Sequence, residues 1–251
     1  MMPRFHFIIF ACFLISISSS IHAGETRIAV AANFSAPMQR LARSFQEETG
    51  NQVKLSSGST GKFYAQIQNG APFDILLAAD QETPQRLENE KLGIENTRFT
   101  YATGTLVLWS ARNDFVDSRG EILQKASFNH LAIADPKLAP YGLAAMQTLS
   151  TLNLIDKLKT KLVQGENIGQ TFQFIATANA ELGFVALSQV YADGKLTMGS
   201  IWIVPQALYQ PLHQDAILLK AGKDNSAATS FLAFLKTEKA KKVMHDYGYQ
   251  F

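Results

Sequence analysis

The chain reads as an α/β protein of two lobes, one of them discontinuous in sequence. Three observations point to the two lobes. Short apolar runs alternate with amphipathic stretches from Thr26 onward, the alternation changes rhythm after Leu92, and the last two amphipathic stretches carry apolar faces with nothing nearby in sequence to cover.

The elements follow in order. Thr26 to Ala32 (TRIAVAA) is a short apolar run bounded by polar residues, which predicts a buried parallel strand. Ser35 is placed to cap a helix with Pro37 in its first turn, Met38, Leu41, Ala42 and Phe45 on one face, and Gly50 as its stop. Gln52 to Ser56 predicts a second strand, which runs into Ser57-Gly58-Ser59-Thr60-Gly61 and a helix marked by Phe63, Ile67 and the terminating Gly70. Asp74 to Ala79 (DILLAA) is a third strand and Pro84 to Leu92 a third helix. Such a series builds an open sheet with helices on both faces.

Beyond it, Thr105 to Ser110, Leu131 to Ala134, Leu182 to Leu187, Ile201 to Val204 and Asp215 to Lys220 predict strands. Gly142 to Leu152, Ile168 to Thr177, Ala227 to Lys236 and Glu238 to Tyr247 predict helices. The uncovered faces of the last two, with Ala228, Phe231, Leu232 and Leu235, suit the first group of strands. This places residues 24–103 and 206–251 in one discontinuous lobe and 104–205 in the other, with two crossing segments between them. A cleft between such lobes, at strand carboxyl ends, is where ligands bind.

Composition narrows the functions. Of 251 residues, 47% are hydrophobic and 18% charged, with a net charge of +2, so neither disorder nor a basic nucleic-acid surface is expected. Residues 1–23 read as a secretory leader: Arg4, an apolar stretch from Phe5 to Ile17, three serines and Ile21-His22-Ala23. The single cysteine, Cys12, falls inside it, so the mature chain carries no thiol and no disulfide framework. The expectation from these features is a secreted, soluble mature chain.

Two junctions attract attention. Asn33 follows one strand and Ser59-Thr60 another, each just ahead of a helix, where unpaired main-chain N–H groups and the positive dipole end favour anions. Ordinary helix capping uses the same residue types, and either junction alone fits it well. Ser59-Thr60-Gly61-Lys62 also opens like a serine acyl-transfer motif, an alternative built on Ser59 and Lys62. The companion Ser-Asp-Asn and Lys-Thr-Gly motifs are absent from the sequence. A P-loop fails for want of a glycine at Ser56. His130, His213 and His245 lack metal-ligand spacing and read as surface residues, and Asp74, Asp80 and Asp135 sit at predicted strand ends.

The runs AANFSAPMQRLARSFQEETG, GSTGKFYAQIQNGAPFDI, DPKLAPYGLAAMQTL and GENIGQTFQFIATANAELGFVAL resemble the periplasmic molybdate-binding proteins of ABC transporters, in order and across the whole mature chain. The resemblance implies a type II periplasmic-binding-protein fold, two α/β lobes joined by a two-segment hinge that close on molybdate or tungstate, and delivery of that oxyanion to an ABC transporter permease; the expectation is a periplasmic monomer without a cofactor. It implies uncharged ligands: Asn33, Thr60 and the adjacent Ser59 from the first lobe, and the main-chain N–H groups of Tyr141 and Ile168 from the second. Asn33, Thr60, Tyr141 and Ile168 are then oxyanion contacts, not direct metal ligands. Some members carry serine at the position of Asn33 and a ligating tyrosine at that of Ala186. Alanine has no side-chain donor, and Asn33, with two amide N–H groups, is the expected replacement. Sulfate is the alternative oxyanion.

Overall fold

The computed structural model describes residues 23–251. The leader segment lies outside the described residues, apart from Ala23. β1 (Glu25–Ala31) passes through a 3-10 turn (Ala32–Phe34) into α1 (Ser35–Thr49), and β2 (Gln52–Gly58) leads to α2 (Thr60–Gln68). β3 (Ile75–Leu77), α3 (Glu82–Asn89) and β4 (Phe99–Gly104) follow. α1 buries Pro37, Met38, Leu41 and Phe45 and stops where Gly50 turns left-handed at φ +74°. Ser35 is the first helical residue and not its cap; its hydroxyl instead meets that of Ser57 at 2.6 Å.

The chain then crosses into β5 (Leu106–Ser110), α4 (Glu121–Lys125), β6 (Leu131–Ala134) and α5 (Pro140–Thr151). It continues through α6 (Ile155–Leu158), β7 (Leu162–Gly165), α7 (Ile168–Ala176), β8 (Leu182–Ala186) and α8 (Leu187–Val190). A short hairpin of β9 (Tyr191–Ala192) and β10 (Lys195–Leu196) precedes β11 (Ser200–Ile203). The second crossing leads to β12 (Leu212–Leu218), α9 (Ser226–Leu235) and α10 (Glu238–Asp246).

Two five-stranded mixed sheets result, in the orders β2-β1-β3-β12-β4 and β11-β5-β8-β6-β7. In the first, β1 runs parallel to β2 and β3, while β12 pairs antiparallel with β3 and β4. The return of β12 to the first sheet gives α9 and α10 their partner: Phe231, Leu232 and Leu235 pack with Phe45, Met38 and Val30 in one core. The second sheet has its own core, around Leu108, Ile133, Leu149 and Phe184 on one face and Trp109, Ile175 and Val185 on the other.

The cavity between two helix-start walls

All five residues singled out in the sequence line one small cavity between the sheets: Asn33, Ser59, Thr60, Tyr141 and Ile168. Ala31, Ala32, Gly58, Ala79, Ala139, Pro140 and Asn167 complete its wall, which contains no acidic or basic side chain. The fold explains the convergence. Each of these residues follows the carboxyl end of a strand, and both sheets turn those ends toward each other.

Each helix start leaves a donor over. On α7, Asn167 Oδ1 accepts the N–H groups of Gly169 and Gln170, at 2.9 and 3.0 Å, and so passes over Ile168. On α5, Pro140 has no N–H, and those of Gly142 and Leu143 donate to Ala139 O. Tyr141 N–H, like those of Ile168 and Thr60, meets no protein acceptor among the described residues. Thr60 Oγ1 accepts from Ala79 N–H at 3.0 Å, which turns its proton elsewhere. Ser59 caps α2 by accepting from Lys62 N–H at 3.4 Å, and its own proton is likewise uncommitted to the protein. Gly142 lets α5 lie close on β6: an added Cβ would stand 2.3 Å from Ala134 O.

Asn33 behaves differently from the sequence reading. Its amide nitrogen donates to Gln214 Oε1 and to the Tyr249 hydroxyl, both at 2.9 Å, and not into the cavity. Its carbonyl accepts from Ser188 at 2.7 Å and Tyr249 at 3.0 Å. Tyr101 donates to Gln214 Oε1 (2.9 Å), and Gln214 Nε2 donates to the Tyr141 hydroxyl (3.2 Å). This buried cluster floors the cavity and joins the two sheets. Burial raises the pKa of Tyr101 and Tyr141 well above the ordinary value and pushes that of Tyr249 up to about 12, so all three hydroxyls stay protonated. Tyr101, Ser188, Gln214 and Tyr249 were not legible as site residues, because each meets its partners across long sequence separations and carries no local motif.

The lobes also touch beside the cavity. Gly61 N–H donates to Leu138 O at 3.0 Å, and Lys62 Nζ pairs with Glu166 at 2.6 Å. Lys62 is therefore engaged with a carboxylate across the cleft and not with the Ser59 hydroxyl, and the acyl-transfer pairing is not formed. Asp74, Asp80 and Asp135 are separate: Asp74 accepts from Arg27 N–H, Asp80 from Thr83 and Asp135 from Lys137 N–H. The three histidines are exposed, and no cluster of three potential metal ligands occurs among the described residues. Ala186 is fully buried in the core of the second sheet and does not line the cavity.

Two α/β lobes, two chain crossings and a cavity walled by helix starts define a type II periplasmic binding protein. The chain belongs to the bacterial extracellular solute-binding proteins, whose family model matches residues 26–250. Among its relatives is the molybdate-binding protein ModA of Azotobacter vinelandii, 55% identical over 233 residues that cover 93% of this chain and 92% of that one. The molybdate-binding protein ModA of Rhodobacter capsulatus is 48% identical, over 90% of this chain and 88% of its own. The solved structure of an Azotobacter vinelandii periplasmic molybdate-binding protein superposes with a TM-score of 0.87 at 39% identity, covering 90% of this chain and 99% of that chain.

Proposed function

We propose that this chain captures molybdate in the periplasm and hands it to an ABC permease, with the anion held in the cavity by uncharged donors from both lobes. One observation carries the reading: five residues from four separate helix starts line a single cavity that has no charged side chain. The ligand set is Asn33, the N–H and hydroxyl of Thr60, the adjacent Ser59, and the main-chain N–H groups of Tyr141 and Ile168. The lobes are residues 24–103 with 206–251 and residues 104–205, and the anion bridges them by favouring the closed arrangement. The working form is a monomer that has lost its leader, and no cofactor takes part.

Several charge-assisted hydrogen bonds, aligned with helix dipoles, stabilise a dianion without a cation. A wall of donors also excludes ligands that must donate. Protonated phosphate would set an O–H against an N–H, at a cost of about 1–3 kcal/mol for the unpaired group. Sulfate passes that filter, and size separates it: a smaller tetrahedron reaches only some of the donors at once. Tungstate shares molybdate's charge and shape and is accepted with it. A thermal-shift screen against molybdate, tungstate, sulfate and phosphate tests the reading, because a ligand of the folded state raises its melting temperature. Large shifts with the first two and small ones with the others are expected. Equal shifts with sulfate, or none with molybdate, would overturn it.

A further inference from the structure

After α10, Gly248 turns left-handed at φ +82° against Leu187, where an added Cβ would stand 2.6 Å from Leu187 Cδ2, so the turn has no room for a side chain. It sends Tyr249 inward. The ring packs edge-on against Phe34, 5.2 Å away, in the core of the first sheet. The hydroxyl reaches further, to the place where the lobes meet. It donates to the Asn33 carbonyl at 3.0 Å and accepts from the Asn33 amide at 2.9 Å. Ser188 of α8 stands 3.1 Å from it and donates to the same carbonyl at 2.7 Å, and the Tyr141 hydroxyl of α5 is within its reach.

Gln250 carries the contact along the hinge. Its main chain pairs antiparallel with Thr103, its N–H donating across 3.0 Å and its carbonyl accepting across 2.7 Å. On its other side Thr103 pairs with His213 of β12, one step before Gly104, where one crossing leaves the first sheet, and Leu212, where the other returns. Three stretches of chain therefore lie abreast at the hinge. Just before the Gly248 turn, the Asp246 carbonyl accepts from Gly194 N–H of the β9–β10 hairpin at 3.2 Å, so the contact with the second lobe extends beyond the hydroxyl.

We propose that residues 246–250 form a third link between the lobes, with Tyr249 as the positioning residue that ties the β1–α1 junction of the cavity wall to α8 and α5. Packing in the first core needs only the ring. The hydroxyl is buried with it, and burying a hydroxyl is favourable only where partners meet it. Those partners are Asn33 of the wall and Ser188 and Tyr141 of the second lobe. Ala31, Ala32 and Asn33 line the cavity, so holding their junction from behind keeps this part of the wall in register with the helix starts opposite. The consequence for ligand rests on the molybdate reading; the link itself does not.

Tyr249→Phe keeps the ring and removes the hydroxyl. In the chain from Gly24 onward, which holds no cysteine, nitroxide labels at the exposed positions Lys223→Cys and Thr160→Cys, one in each lobe, report the spacing of the lobes by double electron–electron resonance. Without ligand, Tyr249→Phe is expected to broaden the distance distribution; an unchanged distribution would overturn the proposal. Molybdate affinity is expected to fall about five- to ten-fold, through faster dissociation. Ser188→Ala removes the hydroxyl on the other side of the contact, and the double variant is expected to lose less than the product of the two single losses. Losses that simply multiply would leave Tyr249 a residue of the first core alone and would also overturn it. Gln250→Pro, which removes the N–H bonded to Thr103 without entering the core, is expected to broaden the same distribution and keeps the test open should Tyr249→Phe not fold. A wild-type chain that takes up no molybdate would remove the ligand reading and leave the distance measurement to decide the link.

Discussion

In the proposed site the first lobe offers mainly side chains, the hydroxyls of Ser59 and Thr60 with the Thr60 main-chain N–H beside them, whereas the second lobe offers the main-chain N–H groups of Tyr141 and Ile168; all four residues line one cavity. On the second wall, side chains act at one remove: Asn167 satisfies the next two N–H groups of α7, and the missing side chain of Gly142 lets α5 settle against β6. A wall of side chains is retuned by single substitutions. A wall of backbone changes only when a helix moves, so the two halves of the site differ in how sequence change reaches them.

Replacing Asn33 and Thr60 together by alanine strikes the side-chain wall and carries the largest expected effect. Molybdate affinity, measured by calorimetry, is expected to fall by more than about ten-fold, the equivalent of one or more lost hydrogen bonds. Unchanged affinity would refute the first-lobe ligands. A smaller effect concerns Asp80, which follows the cavity residue Ala79. Burial raises its pKa from 3.8 to about 6, against the lowering effect of its bonds from Thr83. Between those values the folded state holds the proton more tightly than the unfolded one, so this group's contribution to stability falls as pH rises from about 4 to 6. Asp80→Asn is expected to flatten that part of the melting-temperature profile and to raise stability at pH 7 by on the order of 1 kcal/mol, about 3 °C. An unaltered slope would show that Asp80 does not titrate there. The smallest effect sharpens the contrast from the other wall. Ile168→Val keeps the main-chain N–H, so affinity is expected to stay within about two-fold while stability drops by roughly 0.5–1.5 kcal/mol. A large loss of affinity would mean that the second wall also works through its side chains.

Much of the scaffold was legible because its signals are local. The helix-start residues Ser59, Thr60, Tyr141 and Ile168 were marked by strand-to-helix junctions and by a resemblance to a known family, and they share one cavity. β4 escaped notice because FTYATG mixes polar and apolar residues without a period, and it forms an edge strand paired to β12 from far along the chain. α4 and α6 are single short turns, and β7 was hidden in a polar stretch. The behaviour of Asn33 was out of reach for a different reason. Its amide partners lie 181 and 216 residues away, and Gln214 sits in the polar run His213-Gln214-Asp215 of β12, where nothing nearby announces which of the three is buried against another lobe.

Gly104 ends β4 where the chain leaves for the second lobe, and an added Cβ there would stand 2.0 Å from the Tyr141 hydroxyl and 2.5 Å from Gln214 Nε2. The crossing strand and the cluster beneath the cavity thus share one small space. An engineer who wants a different cargo should work on the side-chain wall, at Ser59 and Thr60, because even a methyl group at Gly104 would collide with both Tyr141 and Gln214.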